Sequence, residues 1–310
     1  MRTLVLALAA VCALSIPAFG GEKKGTIGCT LLAFSNPFYK EIGDNMTAEA
    51  AKNGYDVVIT DGNFDAVRQN NQIKDFIASG VAAIVIAPAD SKAIGASIRE
   101  ANDAGIPVFT VDIGNLDPAA NVICHVATDN FAGGKMAADA MIQALPGGKG
   151  TIGIINHPEV EAVILRTDGF KARLKELGKE PAIKIVADLP GLGSRDRSYA
   201  AAQDMLQAHP DIEGIFCIND PTALGAIAAL EGIGKLNQVV LVGFDGQPEG
   251  KQAIKDGKIF ADPIQFPDQL GREVVKMFVK YTEGEDVPKE HLIPTALYYK
   301  ADAMKDATLK

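Results

Sequence analysis

The sequence predicts an α/β protein of two lobes, each built on a parallel β-sheet. The chain has 310 residues, more than one hydrophobic core usually serves, so we expect two domains. Short apolar runs alternate along it with longer amphipathic stretches, which is the rhythm of strands and helices. The apolar runs are nearly continuous rather than alternating, which is typical of parallel strands covered by helices on both faces.

The apolar runs fall into two sets that follow one another along the chain. The first set lies at residues 26–32, 56–60, 82–88, 107–112 and 122–129, with helical patterns between the first four runs. The second set repeats the rhythm at residues 151–156, 182–189, 214–219, 239–245 and 260–266. We therefore expect the first lobe to begin near Lys23 and the second near Asp129.

The first residues of the chain are typical of a secretory signal peptide. A basic start containing Arg2 precedes an apolar run at residues 4–16, and small residues then suit cleavage after Gly20. The run is shorter than the roughly 20 residues that span a bilayer, so a retained anchor is the weaker interpretation. Cys12 raises the alternative of a lipoprotein, although the residue before it is bulkier than such processing usually accepts. We expect residues 1–20 to be removed and the mature chain to lie outside the cytoplasm.

Composition and charge argue against several classes of function. The formal net charge is −9 with dispersed acidic residues, so the chain offers no basic surface for a nucleic acid. The histidines are scattered and form no metal-ligand spacing with the cysteines, so no metal site is expected. Each cysteine of the mature chain lies in a strand-like run, which predicts buried free thiols at Cys29, Cys124 and Cys217.

The sequence also lacks the motifs of the common enzyme classes. No G-x-S-x-G elbow is present, and the glycine-rich segment 146–151 lacks the Lys-Ser/Thr pair of a P-loop. That segment also precedes a strand instead of following one. No G-x-G-x-x-G follows the first strand, so a dinucleotide site is not expected. We predict neither enzymatic activity nor a cofactor.

Polar and aromatic residues follow many of the predicted strands. In open parallel sheets, ligands bind outside the carboxyl ends of the strands, so we expect the functional site in these loops. Asn36 and Asp220 each precede a proline, and helix N-capping would explain both without any ligand. Capping does not explain Asp112 or Asp245, which end apolar strands where an uncompensated carboxylate is costly.

Taken together, the loop motifs form a recognisable series. In chain order they are Asn36-Pro37-Phe38-Tyr39, Asp112 after PVFTV, Arg166 before Asp168-Gly169-Phe170, Asn219-Asp220, Val242-Gly243-Phe244-Asp245-Gly246 and Gln265-Phe266-Pro267-Asp268-Gln269. The series resembles the ribose-binding protein family, the periplasmic sugar-binding proteins of ABC importers. The resemblance covers essentially the whole mature chain, and the motifs are specific jointly although each is weak alone. It implies two Rossmann-like lobes joined by a three-segment hinge, with the ligand in the interlobe cleft.

The resemblance also implies where the chain passes between the lobes. The crossings would fall near three residues, Thr128, Gln265 and Pro294. Each lobe would then combine two segments, residues 23–128 plus 266–293 in the N-terminal lobe and residues 129–265 plus 294–310 in the C-terminal lobe.

The function implied by the resemblance is solute capture in the periplasm. The protein would bind a monosaccharide or polyol as a monomer and deliver it to the permease of an ABC importer. An alternative is a sensor component, in which the closed form on a sugar or furanosyl signal is read by a chemoreceptor or kinase.

The sugar contacts of the family carry over onto residues of this chain, namely Asn36, Phe38, Tyr39, Asp112, Arg166, Asn219, Phe244, Asp245 and Gln265. Their chemistry suits a sugar, because aromatic rings pack on C–H faces while carboxylate, amide and guanidinium groups bond hydroxyls. A structural alternative is that Arg166 and the aspartates form a salt-bridge network between the lobes. We also expect Asp112 and Asp245 to be under-partnered without ligand, so that the unliganded fold survives their removal.

Some positions depart from the pattern of ribose-binding relatives. Leu32 and Ile113 stand where those relatives carry a hydroxyl residue and an arginine, and an aromatic residue is missing near Gly193. We therefore expect Leu32 and Ile113 to determine specificity. The expected ligand is not ribose but a different pentose, a ketose, a deoxy sugar, a polyol or an amino sugar. The sequence leaves open whether Glu161 and Arg195 reach the ligand.

Overall fold

The computed structural model describes residues 23–310 of the chain. The predicted signal peptide at residues 1–20, and with it the lipoprotein alternative at Cys12, lies outside the described residues. Within the described part, no helix combines the length and the apolar character needed to cross a membrane.

The first lobe is built on a six-stranded sheet in which all strands are parallel. Its strands are β1 (Gly25–Leu31), β2 (Tyr55–Asp61), β3 (Ala83–Ile86), β4 (Val108–Val111), β5 (His125–Thr128) and β11 (Glu290–Ile293). They are arranged in the order β11-β5-β4-β3-β1-β2. The helices of this lobe are α1 (Pro37–Lys52), α2 (Ala66–Ala78), α3 (Gly95–Asp103) and α9 (Pro267–Thr282). Strands β3 and β4 are buried along their whole length, as their continuous apolar sequences predict.

The second lobe has a six-stranded sheet of the same design. Its strands are β6 (Gly150–Asn156), β7 (Ile183–Pro190), β8 (Gly214–Cys217), β9 (Val240–Val242), β10 (Ala261–Ile264) and β12 (Ala296–Tyr299). The order is β12-β10-β9-β8-β6-β7, and only the edge strand β12 is antiparallel to its neighbour. The helices are α4 (Asn130–Ala144), α5 (Glu161–Glu176), α6 (Arg195–Ala208), α7 (Asp220–Gly232), α8 (Pro248–Lys255) and α10 (Lys300–Ala303).

The chain passes between the two sheets three times. It leaves the first sheet after Thr128, returns to the first lobe after Ile264, and crosses again between Ile293 and Ala296. Two side-chain hydrogen bonds link these crossing segments, from Thr128 Oγ1 to Gln265 Oε1 (2.7 Å) and from Thr295 Oγ1 to the Ile264 carbonyl (2.7 Å). The predicted fold class, two α/β lobes on parallel sheets, is confirmed.

Two local predictions can be compared directly with the structure. All three cysteines of the described chain are buried and free, as predicted. The N-cap prediction is correct for Asn36, whose side chain accepts from the Phe38 N–H at 3.0 Å. It is wrong for Asp220, because Asn219 caps α7 by accepting from the Thr222 N–H, and Asp220 is the first residue of the helix.

Candidate ligand-binding cleft

The carboxyl ends of the strands of both lobes face a cleft between them. The cleft contains a cavity that is lined by residues of both lobes. Its lining contains all but one of the predicted contact residues, namely Asn36, Phe38, Tyr39, Asp112, Arg166, Asn219, Asp245 and Gln265. Leu32 and Ile113 also line it. Residues that follow strands of both sheets therefore meet in this cavity, where the strand-end rule predicts a ligand site.

Asp112 brings an unsatisfied acceptor into the cleft from the first lobe. Asp112 is only 3% exposed, and its backbone adopts a left-handed conformation (φ 64°) directly after β4. Tyr39 Oη donates to Oδ2 at 2.8 Å, whereas Oδ1 is buried without a hydrogen-bond partner in the described chain. Burial raises the pKa of Asp112 to about 7, although Arg166 and the Tyr39 hydrogen bond act in the opposite direction. Oδ1 is therefore free to accept a hydrogen bond from another molecule.

Arg166 on α5 is the central cation of the second lobe. Its Nε donates to Asn130 Oδ1 at 2.8 Å, and its Nη1 donates to the Ile218 carbonyl at 2.6 Å and to Asp245 Oδ1 at 3.0 Å. The guanidinium lies 3.8 Å above the centre of the Phe244 ring. These contacts fix the plane of the guanidinium, which is only 4% exposed.

Phe244 is placed differently from the prediction. The residue is fully buried, its ring is covered by Arg166, and it does not line the cavity. On its other side the ring packs so closely on Gly133 that a Cβ there would lie 2.5 Å from it. Phe244 therefore supports the arginine through a cation–π contact instead of offering a face to the cleft.

Asp245 is well partnered, in contrast to the expectation. Its carboxylate accepts from Arg166 Nη1, from Gln265 Nε2 at 2.6 Å and from Gln247 Nε2 at 3.2 Å. Burial raises the pKa of Asp245, and these three donors act against that shift. The Arg166–Asp245 ion pair lies within the second lobe, and Asp112 bonds Tyr39 of its own lobe. The alternative of a salt-bridge network between the lobes is therefore wrong for these residues of the described chain.

The cavity lining also contains residues that the sequence reasoning did not select, namely Phe64, His157, Val160, Ala162, Val163, Gly193 and Ile218. Phe64 lies in the loop after β2 in a left-handed conformation (φ 56°), and its N–H donates to the Leu32 carbonyl at 3.0 Å. His157 directly follows β6 and is therefore one of the strand-end residues, although the family resemblance did not single it out as a sugar contact. Burial lowers its pKa to about 4, so the imidazole is neutral at pH 7.

Glu161 and Arg195 both lie outside the cavity lining. Glu161 Oε2 accepts from the Gly114 N–H of the first lobe at 3.1 Å, and the Glu161 N–H donates to Ser91 Oγ at 2.9 Å. The Ser91 N–H in turn donates to the Glu159 carbonyl at 3.0 Å. The two lobes are thus in direct contact through these hydrogen bonds. Arg195 instead faces Glu249 on the surface of the second lobe.

Comparison with known proteins identifies the family. Residues 27–286 match the periplasmic binding protein domain. The chain belongs to the periplasmic binding protein family. Periplasmic binding proteins bind solutes and are not enzymes, in agreement with the missing catalytic motifs.

Individual relatives show which periplasmic binding proteins this chain is similar to. The ribose import binding protein of Salmonella typhimurium is 33% identical over 300 residues, covering 97% of this chain and 98% of that protein. The D-apiose import binding protein of Paraburkholderia graminis is 31% identical, covering 87% of this chain and 86% of that protein. A solved ABC transporter solute-binding protein of Mycobacterium smegmatis, with bound glycerol, has a TM-score of 0.84 and 33% identity, covering 91% and 96% of the two chains. The resemblance to ribose-binding proteins is thereby confirmed.

Proposed function

We propose that this protein captures a monosaccharide or polyol in its interlobe cleft and delivers it to the permease of an ABC importer. The observation that carries the proposal is the unsatisfied Asp112 Oδ1, which is buried in the lining of a cavity that also contains the Arg166 guanidinium. A ligand hydroxyl donating to that oxygen removes the cost of a buried acceptor without a partner. The names of the relatives support sugars and polyols as the ligand class.

The other lining groups match the two faces of a sugar. Asn219 and Gln265 present amides that can donate and accept, and Asp245 presents a charged acceptor. Phe38 and Tyr39 pack edge to face, with ring centres 5.4 Å apart, and supply aromatic surface for C–H groups. Glycerol in the Mycobacterium smegmatis protein agrees with a small polyhydroxylated ligand.

The proposed mechanism is closure of the two lobes on the ligand. Residues 23–128 with 266–293 move against residues 129–265 with 294–310, and the three crossings act as the hinge. A ligand that touches both lobes binds the closed form better than the open one, and so shifts the population toward closure. Cleavage after Gly20 would deliver the protein to the periplasm, where the closed form meets the permease.

A thermal-shift screen against pentoses, hexoses, deoxy sugars, amino sugars and polyols tests the proposal. A ligand at a thousand times its Kd stabilises the folded state by about 4 kcal/mol, which raises Tm on the order of several degrees. Small-angle scattering should show compaction with the same ligand. A screen in which no carbohydrate or polyol moves Tm would contradict the proposal.

Glu161 is expected to stabilise closure without touching the ligand. Glu161→Ala removes one hydrogen bond across the cleft, so it should lower the affinity for every ligand by the same factor, about three- to tenfold. Titration calorimetry with several ligands measures this, and Glu180→Ala, at an exposed position beyond the same helix, is the control. A changed order of preference among ligands would show instead that Glu161 contacts the ligand.

A further inference from the structure

Two aspartates in the core of the second lobe have carboxyl oxygens without partners. Asp220 is the first residue of α7 and is buried, and Asp262 on β10 is fully buried. Both oxygens of Asp262, and Oδ1 of Asp220, lack a hydrogen-bond partner in the described part of the chain. A buried carboxylate without a partner is costly, so something must offset the charge of these groups. We call Asp220 and Asp262 the carboxyl pair.

The two groups of the carboxyl pair lie within hydrogen-bonding reach of each other, so a single proton between them makes each the partner of the other. The backbone packs tightly around them. A Cβ on Gly250 would overlap the Asp220 carboxyl group, and a Cβ on Gly243 would overlap Asp262 Oδ1. Among the described residues, no group of three or more His, Cys, Asp or Glu side chains is arranged to hold a metal ion. A proton therefore fits between the two groups better than a cation does.

Four other titratable side chains surround the carboxyl pair, namely Cys217 on β8, Asp245 after β9, Lys251 on α8 and Tyr298 opposite Asp262 on β12. Burial is the main cause that raises the pKa of both carboxyl groups, and the negative charge of Asp245 adds to it. Lys251 acts in the opposite direction on Asp262. Helix α4 also packs on β10, but both of its charged residues pair with residues of α5. The surroundings thus favour one proton on the pair.

From these contacts we propose that Asp220 and Asp262 share one proton, and that the shared proton holds the start of α7 to β10. Loss of this proton leaves two negative charges against each other in the core, beside Asp245. Asp220 Oδ2 also accepts from the Gln247 N–H at 2.6 Å, and Gln247 Nε2 donates to Asp245 Oδ2 at 3.2 Å. The carboxyl pair therefore supports the wall of the cleft to which Asp245 belongs. The proposal concerns the second lobe without ligand, so it does not depend on the proposed function.

The shared proton predicts how the carboxyl pair contributes to stability as the pH changes. In the unfolded chain aspartates ionise with a pKa of about 3.9, whereas burial raises the pKa in the folded protein. The stabilising contribution is therefore complete at low pH and is lost as the pH rises through the folded pKa. While the folded state holds one extra proton, each rise of one pH unit lowers the ratio of folded to unfolded protein about tenfold.

The variant Asp262→Asn tests the proposal, because its amide can donate to Asp220 without an added proton. Urea denaturation of the unliganded proteins between pH 5 and pH 8 measures the unfolding constants. The ratio of the wild-type constant to the variant constant should rise about tenfold for each pH unit. The other buried acids are the same in both proteins, so their effects cancel. Asp204→Asn, at an exposed position on α6, is the control and should leave the pH dependence of wild type unchanged. Equal pH dependence in wild type and Asp262→Asn overturns the proposal.

Nuclear magnetic resonance of the aspartate carboxyl carbons detects the proton without needing a folded Asp262 variant. The protein carrying Asp112→Asn is used, because this change removes another buried carboxyl group whose pKa is raised. We expect the carboxyl carbons of Asp220 and Asp262 to titrate together, at a pH well above that of the exposed aspartates. The proposal fails if every aspartate in this protein is ionised at pH 7. It also fails if calcium raises the Tm of wild type but not that of Asp262→Asn, because a cation would then take the place of the proton.

Discussion

Replacement of Arg166 by alanine is expected to lower the free energy of unfolding by about 3–5 kcal/mol, because it leaves the buried Asp245 carboxylate without its cation. The change also removes the donors to Asn130 and Ile218 and uncovers the ring of Phe244. Ligand binding should be lost with it. Urea denaturation of the unliganded protein measures the effect, with an unchanged m-value showing that two-state unfolding is retained.

Two further variants show whether the buried charge is the cause. Arg173→Ala on the same helix removes a solvent-screened arginine paired with Asp139, and should lower the free energy of unfolding far less than Arg166→Ala does. Combining Arg166→Ala with Asp245→Asn removes the unpaired charge, so the double variant should recover part of the loss. If Arg166→Ala alone costs no more than Arg173→Ala, the Arg166–Asp245 pair does not stabilise the second lobe.

The second large effect is expected on binding. Asp112→Asn should lower the affinity for the natural ligand by about 10- to 100-fold, because a hydrogen bond to a charged acceptor contributes roughly 1.5–3 kcal/mol. Asparagine tolerates the left-handed backbone and can still accept from Tyr39, so the fold should be retained. Calorimetry measures affinity, and melting of the unliganded variant checks the fold. Asp44→Asn, on the exposed face of α1, is the control.

The same residue predicts a pH dependence of binding. The pKa of Asp112 is raised to about 7 by burial, so its carboxylate becomes protonated as the pH falls below 7. A ligand hydroxyl donates to the ionised form, and affinity should therefore fall as the pH is lowered from 8 to 5. The variant Asp112→Asn should show a flatter profile over that range. Equal slopes in the two proteins would exclude Asp112 as the titrating acceptor.

The sequence predicts best those features that depend on a residue's position along its own strand. Continuous apolar runs identify the buried strands, and the strand-end rule selects Asp112, Asn219 and Gln265 because position along a strand fixes where a side chain emerges. The short strands β11 and β12 have exposed residues and lack such runs, so periodicity does not reveal them.

The differences between prediction and structure concern residues whose surroundings depend on other parts of the chain. Phe244 follows a strand as a ligand-facing aromatic would, but only the folded structure shows Arg166 lying over its ring. Val160 and Val163 resemble core residues, and nothing in their local sequence separates a helix face that meets a cavity from one that meets a sheet. Asp245 was expected to lack partners because Gln247 and Gln265 reach it only after β9 and β10 are paired through Asp245 and Ile264.

The split construction of the first lobe has a consequence for the order of folding. Helix α9 packs on α1, and β11 completes the edge of the sheet beside β5, yet both are made after almost the whole second lobe. The first lobe must therefore wait for residues 267–293, and closing that long loop slows its assembly. The second lobe lacks only β12 and α10 once Ile264 has emerged. We therefore expect the lobe that is synthesised second to reach its native core first.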